Sequence, residues 1–323
     1  MIVTVVVTLV AAALTIAAFF ADTWWVLDVL TSYRPQAVGV LAAAAVALAL
    51  LRCWRVLAVA VIALALNVGQ VAPVYTDHQP DALADSPTLS IAHVNLQSSM
   101  GDIPAITDWL TGHPADVVVI FDTNRVLIDT VTRGVDGYRM IYPRLAGINT
   151  DTKGRQTTRL DPPSSELVVV TDRDDITADV PHHPGLLDAA VELHTAIGGQ
   201  IVTMLGLHTE SPTNAVRHAT RDRQLDAVAS WLQAATDPAI AFGDFNITYF
   251  SPTFRRLLEQ SGTRSSQLGF GVQATWPAGF RPAGVGIDQS IYKGPITVVA
   301  RRRGPVLGSE HRVLIVTYAL ASP

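Results

Sequence analysis

Cysteine is nearly absent from this sequence, since Cys53 is the only one in 323 residues. A single thiol forms no intramolecular disulfide, which excludes a small disulfide-stapled secreted scaffold. Cys53 also lies in the apolar first quarter, so the remaining chain carries no thiol chemistry. The part that follows must therefore be held together by its hydrophobic core, and about 240 residues are ample for one.

Charge is also scarce, and its absence is concentrated at the front of the chain. Charged residues make up 16% of the sequence, and the mean hydropathy is +0.30. Residues 1–21, 35–51 and 56–76 carry no charge at all. Because a membrane-spanning helix needs roughly 20 apolar residues, we predict three transmembrane helices within residues 1–75. A signal peptide followed by a helical hairpin is the alternative, but no basic residue precedes Arg34, whereas signal peptides begin with basic residues.

The few charges of this region predict its orientation. Arg52 and Arg55 lie between the second and third runs, whereas the first connection carries Asp22, Asp28 and only Arg34. Basic loops stay in the cytoplasm. We therefore expect a multi-pass protein of the cell membrane whose domain after the third helix is extracytoplasmic.

Residues 76–88 are rich in Asp, Pro, Ala and Ser and are predicted to be a linker to one domain over residues 89–323. The first 75 residues hold only three of the 23 basic and two of the 28 acidic residues, which leaves the rest with six more acidic than basic residues. Nucleic-acid affinity depends on neutralising phosphates, so nucleic acid is not an expected partner.

The downstream domain alternates β-rich and helical segments. Some consecutive strands, such as those near residues 167–171 and 201–207, have no helix between them, which favours a mixed or antiparallel sheet. Residues 149–163, with Lys153 and Arg155, are typical of a polar loop. Predicted strands cover residues 90–96, 117–121, 167–171, 189–194, 201–207, 239–242 and 312–320, and predicted helices cover residues 103–111, 215–235 and 252–260.

The most informative stretch is Gly243-Asp244-Phe245-Asn246, which follows the apolar run 239–242. Asp244 and Asn246 are two residues apart, so in an extended chain their side chains point to the same side. A carboxylate and an amide oxygen placed together can hold a hard cation, a water molecule or a phosphate oxygen. A polar turn at the end of a strand is the simpler alternative.

Several other predicted strands begin or end on a polar residue. If ascending strands end on such residues and descending strands begin on them, all of these side chains meet at one end of a mixed sheet. A lone residue of this kind is usually structural, but together they form a set of carboxylates, amides and histidines. The set consists of Asn95, Gln97, Asp122, Glu166, His208, Asp288 and His311.

These residues, with Ser309-Glu310-His311, resemble in type and order the endonuclease/exonuclease/phosphatase superfamily. Ala274-Thr275-Trp276-Pro277 and Ser251-Pro252 resemble a bacterial branch with membrane helices in front. The resemblance implies an α/β fold, the four-layer α/β/β/α sandwich of two mixed sheets typical of DNase I-like proteins. It also implies metal-dependent hydrolysis of a phosphoester or diphosphate.

The resemblance further implies roles for individual residues. Asp244 and Asn246 position the water and a phosphate oxygen. His311 is the general base or a phosphate-stabilising imidazole, and Asp288 orients it. His208 stabilises the phosphorane, and Glu166 resembles the carboxylate that orients His208. The implied ligands of Mg²⁺ or Mn²⁺ are Asp122, Asn95, Gln97 and Glu310.

The sequence departs from the family pattern at Asp122, where Glu is usual, at Glu310, where Asp is usual, and at Gln289, where His or Tyr is frequent. The first two changes keep the charge. We therefore expect a membrane-anchored phosphohydrolase acting on a lipid-linked or envelope phosphate. The alternatives are an extracytoplasmic nuclease and a non-catalytic envelope protein on a degenerate fold.

Overall fold

The computed structural model of the protein describes residues 1–97, 101–150, 156–161, 166–186 and 190–323. Within these ranges, the side chains of residues 145–150, 156–161 and 281 lie outside the description. Lys153 and Arg155, in the predicted polar loop, also lie outside the described residues. The described parts of that loop belong to a two-stranded hairpin, β4 (Arg144–Thr150) with β5 (Gln156–Asp161).

The first quarter of the chain is helical. Two helical stretches, Ile2–Thr23 and Trp54–Val71, are long and apolar enough to span a membrane. The third candidate is a pair of helices, Trp25–Thr31 and Arg34–Leu50, with a bend of 66° between them. The structure therefore has two candidate spans, or the predicted three if this bent pair forms one span. The helices are α1 (Ile2–Ala17), continued by a 3₁₀ segment (Ala18–Thr23), α2 (Trp25–Thr31), α3 (Arg34–Leu50), α4 (Trp54–Val71) and the short α5 (Pro73–Thr76).

The apolar helices contact each other through small residues and turn larger ones outward. Ala12, Leu41 and Ala63 form a buried cluster between α1, α3 and α4. Small side chains let helix backbones approach closely, as in membrane bundles. Large aliphatic residues such as Val46 and Ile62 are exposed, each at 63%. This outward apolar surface is what a helix in contact with lipid requires.

Two six-stranded mixed sheets form the domain that follows. The first sheet has the spatial order β13 (Ile296–Val306), β14 (Arg312–Leu320), β1 (Thr88–Asn95), β2 (Val117–Phe121), β6 (Leu167–Thr171) and β3 (Arg139–Tyr142). The second has the order β11 (Arg264–Ser265), β12 (Asp288–Lys293), β10 (Ala239–Asp244), β9 (Gln200–His208), β8 (Ala190–Ile197) and β7 (Thr177–Asp179). The helices of this domain are α6 (Ile103–Thr111), α7 (Arg125–Thr132), α8 (Ala215–Ala234) and α9 (Pro252–Ser261).

The strands are apolar on both faces because each sheet is covered on both sides. In β2, Val117 and Val119 belong to the core between the two sheets, whereas Val118 and Ile120 pack against the layer of α6 and α7. Successive side chains of a strand point to opposite faces, so a continuous Val and Ile run suits this position. A third core lies between the second sheet and helices α8 and α9. The four-layer α/β/β/α architecture expected from the sequence is confirmed.

Each sheet contains one parallel pair flanked by antiparallel neighbours. β1 and β2 are parallel, as are β9 and β10. Parallel neighbours need a crossover connection, and α6 and α8 provide these. The carboxyl ends of both parallel pairs therefore lie at an end of their sheet, where polar side chains can converge.

Residues 76–88, predicted to be a linker, are hydrogen-bonded along the domain that follows them. The Gln79 side-chain amide donates a hydrogen bond of 2.7 Å to the Leu268 carbonyl. The Thr297 hydroxyl donates to the Pro80 carbonyl at 2.6 Å, and the Leu83 amide donates to Leu320. These backbone and side-chain bonds fix the segment to the domain, so it is not a free tether.

Gly243 in β10 is a position where only glycine fits, which gives a first prediction. Its φ is +138°, and an added Cβ would lie 1.9 Å from the Leu207 carbonyl oxygen. Gly262 also has a positive φ, +64°, but an added Cβ meets nothing within 4 Å. We expect Gly262→Ala to cost roughly 1–2 kcal/mol of stability, and Gly243→Ala to lower the thermal unfolding midpoint in detergent far more. Equal midpoints for the two variants would contradict this account of β10.

Candidate active site

The strand register places three chemically important side chains side by side. Asp244, the last residue of β10, pairs with His208 at the end of β9. On its other side Asp244 pairs with Asp288, the first residue of β12. Because β12 runs antiparallel to β10, its first residue lies at the same end of the sheet. The polar residues at the ends of β9 and β10 and at the start of β12 therefore lie together at one end of the second sheet, as the sequence pattern predicts.

Three of the site residues lie just beyond strand ends in the left-handed region of backbone conformation. The φ angles are +50° at Gln97, +50° at Asp122 and +49° at Asn246. Asn95 accepts a hydrogen bond of 2.9 Å from the Gln97 amide, and Asp244 accepts one of 3.0 Å from the Asn246 amide. The extended same-side arrangement expected for these two pairs is therefore replaced by tight turns. Non-glycine residues rarely adopt this conformation, and such residues cluster at functional sites.

The two sheets are joined at this end by hydrogen bonds between their side chains. Asn95, from the first sheet, donates from Nδ2 to Asp244 Oδ2 at 3.0 Å. Asp122, also from the first sheet, lies 3.1 Å from His208 Nδ1. The Asp122 carboxylate, rather than Glu166, therefore contacts this imidazole. Glu166 is exposed and lines the same cavity.

His311 and Asp288 form the most buried pair of the site. His311 Nδ1 lies 3.0 Å from Asp288 Oδ2, and the two residues are 3% and 0% exposed. The other ring nitrogen of His311 faces Asp244, 3.7 Å from Oδ2. The Ser309 hydroxyl donates to the Asn95 carbonyl and accepts from the His311 amide at 3.0 Å. The Ser309-Glu310-His311 stretch is thereby fixed to the end of β1.

The charges around His311 change its titration. Burial alone would lower the pKa of His311, but the Asp288 and Asp244 carboxylates outweigh burial and raise that pKa to about 9. Burial would raise the pKa of Asp288, but the neighbouring His311 outweighs it and lowers the pKa of this carboxyl. The pair is therefore an imidazolium and a carboxylate near neutral pH.

The same surroundings shift the pKa values of His208 and Asp244. Burial opposes the charged form of His208, but the hydrogen bond to Asp122 and the charge of Asp244 raise the pKa of His208. Burial raises the pKa of Asp244, and His311 only partly offsets this effect. Asp244 is thus a carboxylate with increased proton affinity between two imidazoles, which suits a group that accepts a proton from water.

A cavity of about 740 Å³ opens over this cluster. Asp288 lies behind His311 and outside the lining, and Glu310 is exposed and also outside it. The expected site residues are otherwise brought together. Those that line the cavity are Asn95, Gln97, Asp122, Glu166, His208, Asp244, Asn246 and His311.

The site suits a hard divalent cation by the chemistry of its donors. Ligand atoms of Asp244, Asp288 and His311 all lie within 4.8 Å of one another, but the contact between His311 and Asp288 occupies this group. Asn95, Gln97 and Asp122 line the same cavity and carry amide and carboxylate oxygens, the ligand type that Mg²⁺ prefers. The two arginines of the cavity wall, Arg217 and Arg221, are already ion-paired with carboxylates. A bound divalent cation would therefore add to the positive charge that His311 offers an anionic substrate.

The sequence analysis did not predict that the helical first quarter contributes to this cavity. Trp25, Val29 and Tyr33 line it from the connection between α1 and α3. Asp28, in the same segment, is 3% exposed and lies 2.8 Å from the buried Arg221. In the sequence, the one hint of this contact is an acidic residue next to an uncharged stretch. Acidic residues are also common in loops, so the hint is weak.

The contact at Asp28 is linked through Arg221 to the turn that contains Asp244 and Asn246. Arg221 donates from Nη1 to the Asn246 carbonyl at 3.2 Å, next to the Gly243-Asp244-Phe245-Asn246 turn. Asp28 Oδ1 accepts from the Ser251 hydroxyl, and His218 Nε2 lies 2.9 Å from Oδ2, the oxygen that Arg221 contacts. The segment between the apolar helices is therefore bonded to the same loop that holds Asp244.

Comparison with known families and structures bears on the fold that carries this site. The model of the Endonuclease/Exonuclease/phosphatase family matches residues 92–311. No curated protein matches the sequence.

Solved structures share the fold at low sequence identity. An endonuclease/exonuclease/phosphatase from Bacteroides vulgatus is 13% identical, with a TM-score of 0.53 over 72% of this chain and 99% of that one. The corresponding protein from Beutenbergia cavernae is 15% identical, with a TM-score of 0.51 over 73% and 72%. A humanized D. rerio TDP2 is 15% identical, with a TM-score of 0.52 over 72% and 98%.

The buried Asp28–Arg221 contact leads to a second prediction. Asp28→Ala should lower the free energy of unfolding by at least about 2 kcal/mol, because Arg221 loses a buried charged partner. Asp22→Ala is the matched control. Its ion pair with Arg256 joins the same two regions but is about half exposed, so it should cost below about 1 kcal/mol. Thermal and denaturant unfolding in detergent measure both. Equal costs would show that the Asp28 contact does not hold the regions together.

The raised pKa of His311 predicts a pH dependence of stability in EDTA. The folded pKa lies above the unfolded value, so the stabilisation from this imidazolium is present below about pH 6.5 and is lost as the pH rises toward 9. Wild type should therefore lose stability over this range, and His311→Gln should lose less. The exposed His182→Gln variant should keep the wild-type profile. A His311→Gln profile parallel to wild type would contradict the assignment.

Proposed function

The chain belongs to the endonuclease/exonuclease/phosphatase family, and we propose that it is a membrane-anchored, divalent-metal-dependent phosphohydrolase. Its proposed substrate is the phosphoester or diphosphate of a membrane lipid. The observation that carries this proposal is the shared cavity, in which the Asp244, His208 and His311 cluster is walled on one side by residues 25–33 of the helical region.

The chemistry follows from which groups hold protons. Asp244 Oδ2 accepts a hydrogen bond from Asn95 and lies 3.6 Å and 3.7 Å from the imidazoles of His208 and His311, where it can accept a proton from an attacking water. As the water oxygen bonds to phosphorus, the bond to the leaving oxygen breaks. His311 is protonated near neutral pH, which favours a role as donor to phosphate oxygens over that of general base. His208 supplies a second donor on the neighbouring strand, oriented by Asp122.

The metal in this proposal is Mg²⁺ or Mn²⁺, held by oxygens of Asn95, Gln97 and Asp122. When bound, such an ion neutralises the non-bridging phosphate oxygens as charge develops on them. Glu310 is left out of this ligand set because its side chain is exposed and lies outside the cavity lining. Asn246 is proposed to help position a phosphate oxygen, and Glu166 to act at the rim of the cavity.

A lipid-borne substrate is supported by how the cavity is built. Trp25, Val29 and Tyr33 give it an amphipathic wall that continues into helices long and apolar enough for a bilayer. A soluble phosphoester would need no such wall. With Arg52 and Arg55 on the cytoplasmic side, the proposed location of the cavity is the outer face of the cell membrane.

The proposal is tested by phosphate release from a polyprenyl diphosphate in detergent micelles. We expect activity with Mg²⁺ or Mn²⁺, none with EDTA, and a loss of roughly 10²–10⁴-fold in His311→Ala, since the variant removes a proton donor. Asp122→Asn should lose more activity than Glu166→Gln, because Asp122 contacts His208 and Glu166 does not. A larger loss in Glu166→Gln would restore Glu166 as the orienting carboxylate.

Nicking of plasmid DNA, followed in parallel, separates this function from its alternatives. Nicking that is lost in His311→Ala, without phosphate release from the lipid, would replace the proposal by an extracytoplasmic nuclease. Inactivity of the folded protein on both substrates and on generic phosphoesters, with no Mg²⁺ or Mn²⁺ binding, would indicate a non-catalytic envelope protein.

A further inference from the structure

A second cavity lies among the apolar helices, next to the one described above. It is a groove of about 370 Å³ between α1 and α3, with Asn67 of α4 at its base. Along α1 it extends from Val6 to Ala18, which is about 18 Å at the rise of an α-helix. Its walls are mostly aliphatic, with Val10 and Val40 among them. The groove has the length and chemistry of a site for a hydrocarbon chain.

The end of this groove nearest the catalytic domain carries a buried cation. Arg34, the first residue of α3, lines the groove and is 3% exposed. Its Nη2 donates to the Ala18 carbonyl at 3.3 Å, and its guanidinium lies 4.7 Å from the centre of the Phe19 ring. Within the part of the chain that the structure describes, Nε and Nη1 have no hydrogen-bond partner and the side chain forms no ion pair. Leaving such a charge buried without an anion is costly.

The groove and the catalytic cavity meet at Tyr33, which lines both. Gln36, also in the groove, donates from Nε2 to the Gly284 carbonyl of the catalytic domain at 2.7 Å. The mouth of the groove therefore lies against the catalytic domain, and its apolar length runs back along the helices. A molecule with a phosphate head and a hydrocarbon tail fits this arrangement, with its head at the mouth and its tail along the apolar helices.

We propose that this groove binds the hydrocarbon chain of the lipid substrate and that Arg34 binds an oxygen of its phosphate at the mouth. The inference rests on the proposed function and names how that substrate is held. Tyr33 then separates the tail from the reacting phosphate, and Arg34 is a binding residue rather than a catalytic one. The groove thereby selects lipid-linked phosphates over soluble esters with the same phosphate group.

The test compares a long-chain polyprenyl diphosphate with dimethylallyl diphosphate, which carries the same head on a short chain. Val40→Trp fills the groove, and Arg34→Gln removes the cation at its mouth. Val40→Trp should lower the ratio of kcat/KM for the long chain to that for the short chain at least about 10-fold, because long-chain binding loses over 1.4 kcal/mol. Arg34→Gln should lower kcat/KM for both substrates at least about 10-fold, because both carry the diphosphate that Arg34 binds. An unchanged ratio in Val40→Trp, or an unchanged kcat/KM in Arg34→Gln, would overturn the proposal.

Matched variants control for the substitutions themselves. Val46→Trp places the same side chain on the exposed face of α3, and Arg55→Gln removes the same charge at the other end of the bundle. Val46→Trp should keep the wild-type ratio, and Arg55→Gln should keep the wild-type kcat/KM for both substrates. If Val46→Trp lowered the ratio as much as Val40→Trp, the effect would come from the helix surface and the groove assignment would be wrong.

A binding measurement separates failure of this inference from failure of the proposed function. A fluorescent polyprenyl diphosphate is titrated onto the full-length protein in EDTA, where no turnover is expected. Tight binding that is weakened by Val40→Trp but not by Val46→Trp supports the groove even if the protein hydrolyses neither substrate. Equal binding by the two variants contradicts it. Equally effective displacement of the probe by an anionic phospholipid would assign the groove to bilayer lipid instead.

Discussion

A buried carboxylate at the junction of two sheets is the constraint on which the site depends. Asp244 is 1% exposed and is surrounded by donors from both sheets: Asn95 from the first, His208 and His311 on either side. An unpaired charge in this position would be expelled or protonated, so the strands that end here must bring their polar side chains within reach. Gln97, Asp122 and Asn246 adopt left-handed backbone conformations just after their strands. These turns keep the polar side chains at the sheet edge, close to Asp244.

The helical region and the catalytic domain form one continuous structure. Asp28 reaches from the connection between apolar helices to Arg221, and Arg221 reaches to the carbonyl of Asn246. Residues 76–88 are bonded along the same domain. The proposed lipid phosphohydrolase would benefit from this arrangement, since the protein itself, rather than a flexible tether, would set the height and angle of the cavity over a membrane.

Sequence patterns located most elements well where local chemistry dominates. The helix at residues 103–111 and the strands at residues 117–121, 167–171 and 312–320 agree with the structure to the residue. The strands β12 and β13 were missed because they carry polar residues where strands usually carry apolar ones. In β12, Asp288, Gln289 and Ser290 are all buried, and each forms a hydrogen bond with a residue distant in sequence. No local pattern can report such a partner.

The sequence alone determined the apolar first quarter, the mixed α/β class, the order of the polar strand ends and the family they indicate, because these depend on periodicity, composition and short motifs. The tertiary structure decided that Asp122 rather than Glu166 contacts His208, that Glu310 stays outside the cavity, and that Asp28 and Tyr33 belong to the site. It also decided that Arg34 is buried without a counter-charge among the described residues. These facts depend on distances between residues up to about two hundred positions apart, which are set by packing and not by neighbouring sequence.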